Sequence, residues 1–312
     1  MPSVDDSRHP RLTGLIAPPF TAFHADGSLN LARIEQQAAS LIASGVTGAF
    51  VCGTTGEGAS LTTAERMLVA ERWQNVAREK LSVIVHVGHT SIGDCVALAA
   101  HAQKIRVSAI ACLAPFYFKP SKVEDLVDFC AEVAAAAPDL PFYFYHIPSA
   151  TGVGFAAADF LRAGCSRIPN LAGVKFTFEN LMDYAECVQL EDGRYNILFG
   201  REEMLLAALS LGAPGAIGTS YNFAAPVYRR ILAAFEKSDL PGARIEQARA
   251  NAMISIVLRF GGLPAGKAIM QILGLDCGPT RLPLRTLTEV RQTELRRELE
   301  NIGFFEFCSR TA

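Results

Sequence analysis

The chain has 312 residues, half of them hydrophobic, with 29 Lys and Arg against 31 Asp and Glu and a formal net charge of −2. That length suits one large domain or two ordinary ones. The near balance of charge, without a basic run, excludes a general nucleic-acid binder, and the apolar stretches fall short of the roughly 20 residues a membrane span needs.

Residues 1–11 are polar and of mixed charge, without the apolar segment of a secretory signal. The first apolar, strand-like run is 13–17, and a helix is expected over 31–44, ended by Gly45. The second run, 48–52, leads into Gly53-Thr54-Thr55-Gly56-Glu57-Gly58. Thr62 and Glu65 have the spacing of a capping box and open a helix over 66–80. Runs at 82–87 and 109–114 follow, then a helix over 121–137 that stops at Pro138. Further runs lie at 141–146, 171–176, 196–199 and 216–218. The runs are nearly continuous in apolar character, as parallel strands covered on both faces are.

Eight strand–helix alternations predict an α/β fold, a (β/α)₈ TIM barrel, over 12–224. A doubly wound open sheet is the runner-up. Residues 225–312 carry no strand pattern. Helices over 226–237, 241–260, 266–274 and 288–301 predict an extension packed on the barrel as one unit, with 304–307 packing on it. The eight cysteines, Cys52, Cys95, Cys112, Cys130, Cys165, Cys187, Cys277 and Cys308, are scattered without a C-x-x-C pair. Reduced, buried thiols in a cytosolic protein are expected, rather than a disulfide framework or a zinc site.

Barrel enzymes carry their chemistry where strands end, and unusual polar residues gather there. In 53–58, glycines permit close backbone approach and successive N–H groups can face an anion. With two hydroxyls and no G-K-[ST], the loop suits a carboxylate better than a polyphosphate; it also reads as a plain strand-to-helix turn. Tyr145 is either a half-buried core tyrosine or a proton carrier. Lys175 ends the apolar run Leu171-Ala172-Gly173-Val174-Lys175. Burying an ammonium is costly, so this lysine is either snorkelling to solvent or used as an amine nucleophile with a lowered pKa. The second role is favoured for an inward-facing lysine on the sixth strand. His86 and His89 fit hydrogen-bonded side chains better than a metal site. His146 is expected to pack on the opposite face from Tyr145, and Glu57 to orient its loop.

Gly53-Thr54-Thr55-Gly56-Glu57, Tyr145-His146-Ile147-Pro148 and Gly173-Val174-Lys175, in this order and at these strand ends, resemble the N-acetylneuraminate lyase and dihydrodipicolinate synthase superfamily. The resemblance covers 12–287. Within that superfamily the chain is most similar to the animal-type lyase branch, through Pro115-Phe116-Tyr117-Phe118-Lys119-Pro120, the alanine run before Pro138, Lys267-Ala268-Ile269-Met270 and Arg281-Leu282-Pro283-Leu284. It implies a Schiff-base, class I aldolase acting on a 2-keto sugar acid such as sialic acid and releasing pyruvate. It also implies a homotetramer in the cytoplasm, with neither metal nor organic cofactor and with no nucleic-acid or membrane partner. Lys175 would form the imine, Thr54 and Thr55 hold the carboxylate, and Tyr145 carry protons with Thr54 and with Tyr117 of a neighbouring subunit. Thr177, Gly200, Glu202, Glu203 and Thr219 would line the sugar end. Ala150 stands where dihydrodipicolinate synthases carry an arginine, which disfavours their substrate. Glu202, where some lyases have Asp, and Arg201 beside it leave the sugar open. A related aldolase or dehydratase on another keto acid, and a non-catalytic keto-acid-binding barrel, are the alternatives.

Overall fold

Each apolar run forms a strand within about a residue of its expected bounds, and each strand is followed by helix. β1 (Gly14–Ala17) leads to α1 (Arg33–Ala43), β2 (Gly48–Val51) to α2 (Thr63–Ala77), β3 (Ser82–His86) to α3 (Ile92–Lys104) and β4 (Ala109–Leu113) to α4 (Val123–Ala135). β5 (Phe142–His146) is followed by a single turn, α5 (Pro148–Thr151), and by α6 (Ala157–Gly164). β6 (Leu171–Phe176) precedes α7 (Leu181–Gln189), β7 (Asn196–Phe199) precedes α8 (Leu205–Ser210), and β8 (Gly215–Ile217) precedes α9 (Tyr221–Glu236). The remaining helices are α10 (Leu240–Arg259), α11 (Leu263–Ile272) and α12 (Glu289–Asn301). This computed structural model describes residues 10–77 and 79–309. The polar stretch expected over 1–9, Arg78 of the second predicted helix and the last three residues of the predicted extension lie outside the described residues.

The strands pair in parallel in chain order, and β8 pairs with β1 to close the barrel. Period-2 alternation then sends one set of side chains inward and the other against the helices. Ile16, Phe50, Ile84, Ala111, Tyr143, Tyr145, Leu198 and Ile217 fill the interior. The end where the strands begin is closed by Leu12, Tyr143 and Asn196. Asn196 accepts from the Tyr143 hydroxyl at 2.8 Å, and its amide exchanges hydrogen bonds with both backbone groups of Leu12.

The capping box forms: Glu65 N–H donates to Thr62 Oγ1 at 3.2 Å and Thr62 N–H to Glu65 Oε2 at 2.9 Å. It starts α2 at Thr63, three residues before the expected start at 66. A larger difference concerns α9, expected to begin at Pro226. It begins at Tyr221, because non-helical backbone at Ala224 (φ −139°) restarts the helix and leaves Pro226 in a first turn, where its missing N–H costs nothing. α9 packs on β1, α1 and α8 and serves as the barrel's eighth outer helix. The boundary expected at 224/225 therefore falls inside it.

Trp73, 1% exposed, sits on the inner face of α2 with Val69, Ala70 and Ala77. Trp73→Ala is expected to cost about 3–5 kcal/mol in urea unfolding, from lost burial plus the cavity left behind. Leu68→Ala on the outer face (47% exposed) should cost less than about 0.5 kcal/mol in the same experiment.

Candidate active site

Lys175 is the fifth residue of β6 and points into the barrel near the end where the strands finish. Register places it directly beside Tyr145 of β5. Its residue is 4% exposed. Its Nζ lies 3.8 Å from the centroid of the Phe50 ring and 3.9 Å from that of Tyr145. Ring faces attract a cation by about 0.5–2 kcal/mol. Burial outweighs that attraction and lowers the amine's pKa to about 7, opposed in part by the Glu202 carboxylate. At pH 7 the neutral amine is then far more populated than in an ordinary lysine, which almost never offers it.

Tyr145 is buried, and its hydroxyl meets Thr54 Oγ1 at 3.2 Å. Burial pushes the phenol up to about 12, less than it otherwise would because of that contact. Such a phenol stays protonated at pH 7. It can pass a proton only by taking one as it gives one, which suits a relay.

The loop after β2 is held rigidly. Glu57 N–H donates to Thr54 O at 3.0 Å and Gly58 N–H to Gly53 O at 3.1 Å. Thr21 Oγ1 donates to Gly56 O at 2.6 Å. A Cβ on Gly58 would lie 1.9 Å from Cys52 O, so only glycine fits there. Thr55 Oγ1 and Thr219 Oγ1 are 2.7 Å apart, which ties this loop to the one after β8.

Other sequence-predicted residues ring the same mouth. Thr177 follows β6, and its hydroxyl occupies the space a Cβ on Gly200 would need. The two oxygens of Glu202 accept from Ser220 N–H at 3.0 and 3.3 Å. Burial pushes this carboxyl up to about 7, against those hydrogen bonds. Arg201 pairs with Glu179 and, at 3.2 Å, with Glu203. Tyr117 is not part of this constellation within the chain. It is 77% exposed, with its ring edge-on to Phe118 at 5.0 Å.

Three side chains contribute beyond what the sequence predicts. Phe50 forms the second wall of the lysine's niche, and its signal was the inward parity of β2. Ser220 anchors Glu202, for which no spacing rule exists. His86 does more than form the expected hydrogen bond: its Nδ1 is 3.1 Å from Cys52 O, and its ring meets Tyr145 edge-on at 5.6 Å. Burial, with the Arg66 and Lys175 charges, holds it well below the usual histidine range and therefore neutral. His89 turns elsewhere and accepts from Ser91 N–H at 3.0 Å. His146 meets Phe155 O at 3.1 Å on the outer face.

A partly neutral amine, a hydroxyl pair beside it and a loop of N–H groups and threonines at the rim can bind a keto acid, attack its carbonyl and move protons. The Dihydrodipicolinate synthetase family profile matches residues 11–302. The chain is 41% identical to the N-acetylneuraminate lyase of Mus musculus over 299 residues, 94% of this chain and 93% of that one. It is 44% identical to the N-acetylneuraminate lyase A of Xenopus laevis over 278 residues, 88% and 91% of the two chains. The solved N-acetylneuraminate lyase of Proteus mirabilis superposes with a TM-score of 0.92 at 41% identity, covering 95% of this chain and all of that one.

Proposed function

The chain belongs to the dihydrodipicolinate synthetase family of lyases, and we propose that it cleaves N-acetylneuraminate to N-acetylmannosamine and pyruvate through an imine on Lys175. The observation that carries this reading is the buried Lys175 amine beside Tyr145, whose hydroxyl meets Thr54. The neutral Nζ attacks the keto carbon, and the adduct loses water to give the imine. The carbon–carbon bond β to the imine then breaks. Its electron pair forms an enamine, while Tyr145 takes the proton from the sugar hydroxyl as it passes its own along the contact with Thr54. Protonation of the enamine carbon and hydrolysis release pyruvate and restore the amine. The lysine supplies the electron sink. Thr54 and Thr55 hold the substrate carboxylate, and Thr177, Gly200, Glu202, Glu203 and Thr219 meet the sugar. Tyr117, exposed in one chain, completes the proton relay of a neighbouring copy in a homotetramer.

Pyruvate with borohydride should label Lys175, read by peptide mass spectrometry, and N-acetylneuraminate should release pyruvate. Because the amine gains its lone pair as pH rises through about 7, the labelling rate should climb between pH 6 and 8 and then level off. A label elsewhere would remove Lys175 from the mechanism, and a flat profile over that window would place its titration outside it.

One observation favours a second reading. Arg201 ties up Glu203 and Glu179 at the rim, so a carboxylate suited to sugar hydroxyls is already paired. On this second reading a related 2-keto sugar acid is the preferred substrate, and a panel of such acids assayed beside N-acetylneuraminate for pyruvate release decides between the two.

A further inference from the structure

Glu57 belongs to the loop that carries Thr54 and Thr55, yet its carboxylate is fully buried and bonded away from the pocket mouth. One oxygen forms a salt bridge with Lys267 Nζ of α11 at 2.8 Å, and the other accepts from Arg281 N–H at 2.8 Å. Lys267 also donates to Pro279 O at 2.6 Å, and its side chain is 3% exposed. Arg281 forks onto both oxygens of Glu65 at 2.6 and 2.8 Å and donates to Ser60 O and Gly27 O. Lys267 and Arg281 both stand over the Phe23 ring, at 4.3 and 4.4 Å. Glu57 has a left-handed backbone (φ 53°), which side-chain-bearing residues adopt only when something holds them there.

A buried pair with a strained residue is a poor way to gain stability, because apolar side chains of equal volume do as well or better. It is a good way to fix one position. Glu57 lies two residues beyond Thr55, and its N–H closes the turn on Thr54 O. Its carboxylate is the point where the chain beyond the barrel grips the threonine loop.

We propose that Glu57, Lys267 and Arg281 are positioning residues: the segment containing α11 and Arg281 sets the threonine loop and thereby the affinity for the substrate carboxylate. This rests on the reading of Thr54 and Thr55 as the carboxylate cradle. Lys267→Met removes the cation and leaves the Glu57 charge buried. Glu57→Gln combined with Lys267→Met removes both charges at nearly constant volume, and serves if the single variant fails to fold.

The test compares borohydride trapping on Lys175 with pyruvate and with acetone, which offers the same carbonyl but no carboxylate. In both variants the pyruvate concentration giving half-maximal labelling should rise about tenfold or more, with the acetone value shifting by less than about twofold. An unchanged pyruvate value, or equal shifts for both ketones, reduces the cluster to a packing role and overturns the assignment. If the parent protein labels with neither ketone, the aldolase reading itself falls and takes this one with it.

Discussion

Lys175→Ala should lower pyruvate release from N-acetylneuraminate by at least about ten-thousandfold, the scale on which enzymes lose rate when a covalent nucleophile is removed. The reason is electronic. Without an imine the departing electron pair has no acceptor, and nothing else in the niche can replace an amine: its walls are the rings of Phe50 and Tyr145. Lys175→Arg should be equally inactive, since a guanidinium stays protonated and is not a nucleophile. Lys175→Met separates chemistry from folding. It keeps the apolar stem and removes an amine that burial already disfavours as a cation, so its thermal midpoint should equal or exceed that of the parent while activity is lost. Measured release within about tenfold of the parent in any of the three variants would show that another group carries the reaction.

Tyr145→Phe should lower kcat about a hundred- to ten-thousandfold, the usual contribution of a positioned proton carrier. Phenylalanine preserves the ring wall 3.9 Å from the amine and removes only the hydroxyl that meets Thr54. Borohydride trapping of pyruvate on Lys175 should therefore persist while sugar cleavage fails. Single-turnover measurement of the cleavage step reads this directly. A kcat within about threefold of the parent would leave Tyr145 as a wall and nothing more.

Much of this arrangement was legible in the chain because a parallel barrel writes itself locally. Strands covered on both faces give short continuous apolar runs, so 171–176 and 196–199 could be bounded to the residue. Lys175 stood out for the same reason, as a charge within such a run. Contacts made across the chain were not legible. Phe50 gained its role from a neighbour on the far side of the barrel. Glu202 gained its anchor from Ser220, 18 positions on. The start of α9 differs from expectation because a proline reads as a helix beginning, whereas a backbone break two residues earlier makes room for it inside the helix.

Among the described residues, Leu12, Tyr143 and Asn196 are hydrogen-bonded together at the end of the barrel opposite Lys175. With the imine proposed on Lys175, the pyruvate carbons would stay bonded to the buried amine after cleavage, and the sugar fragment would lie toward the mouth. On that proposal the exit is a queue: the sugar would depart first and pyruvate last. Added pyruvate should then compete with substrate for the free amine, whereas added sugar should meet the waiting enamine and drive the reaction backward.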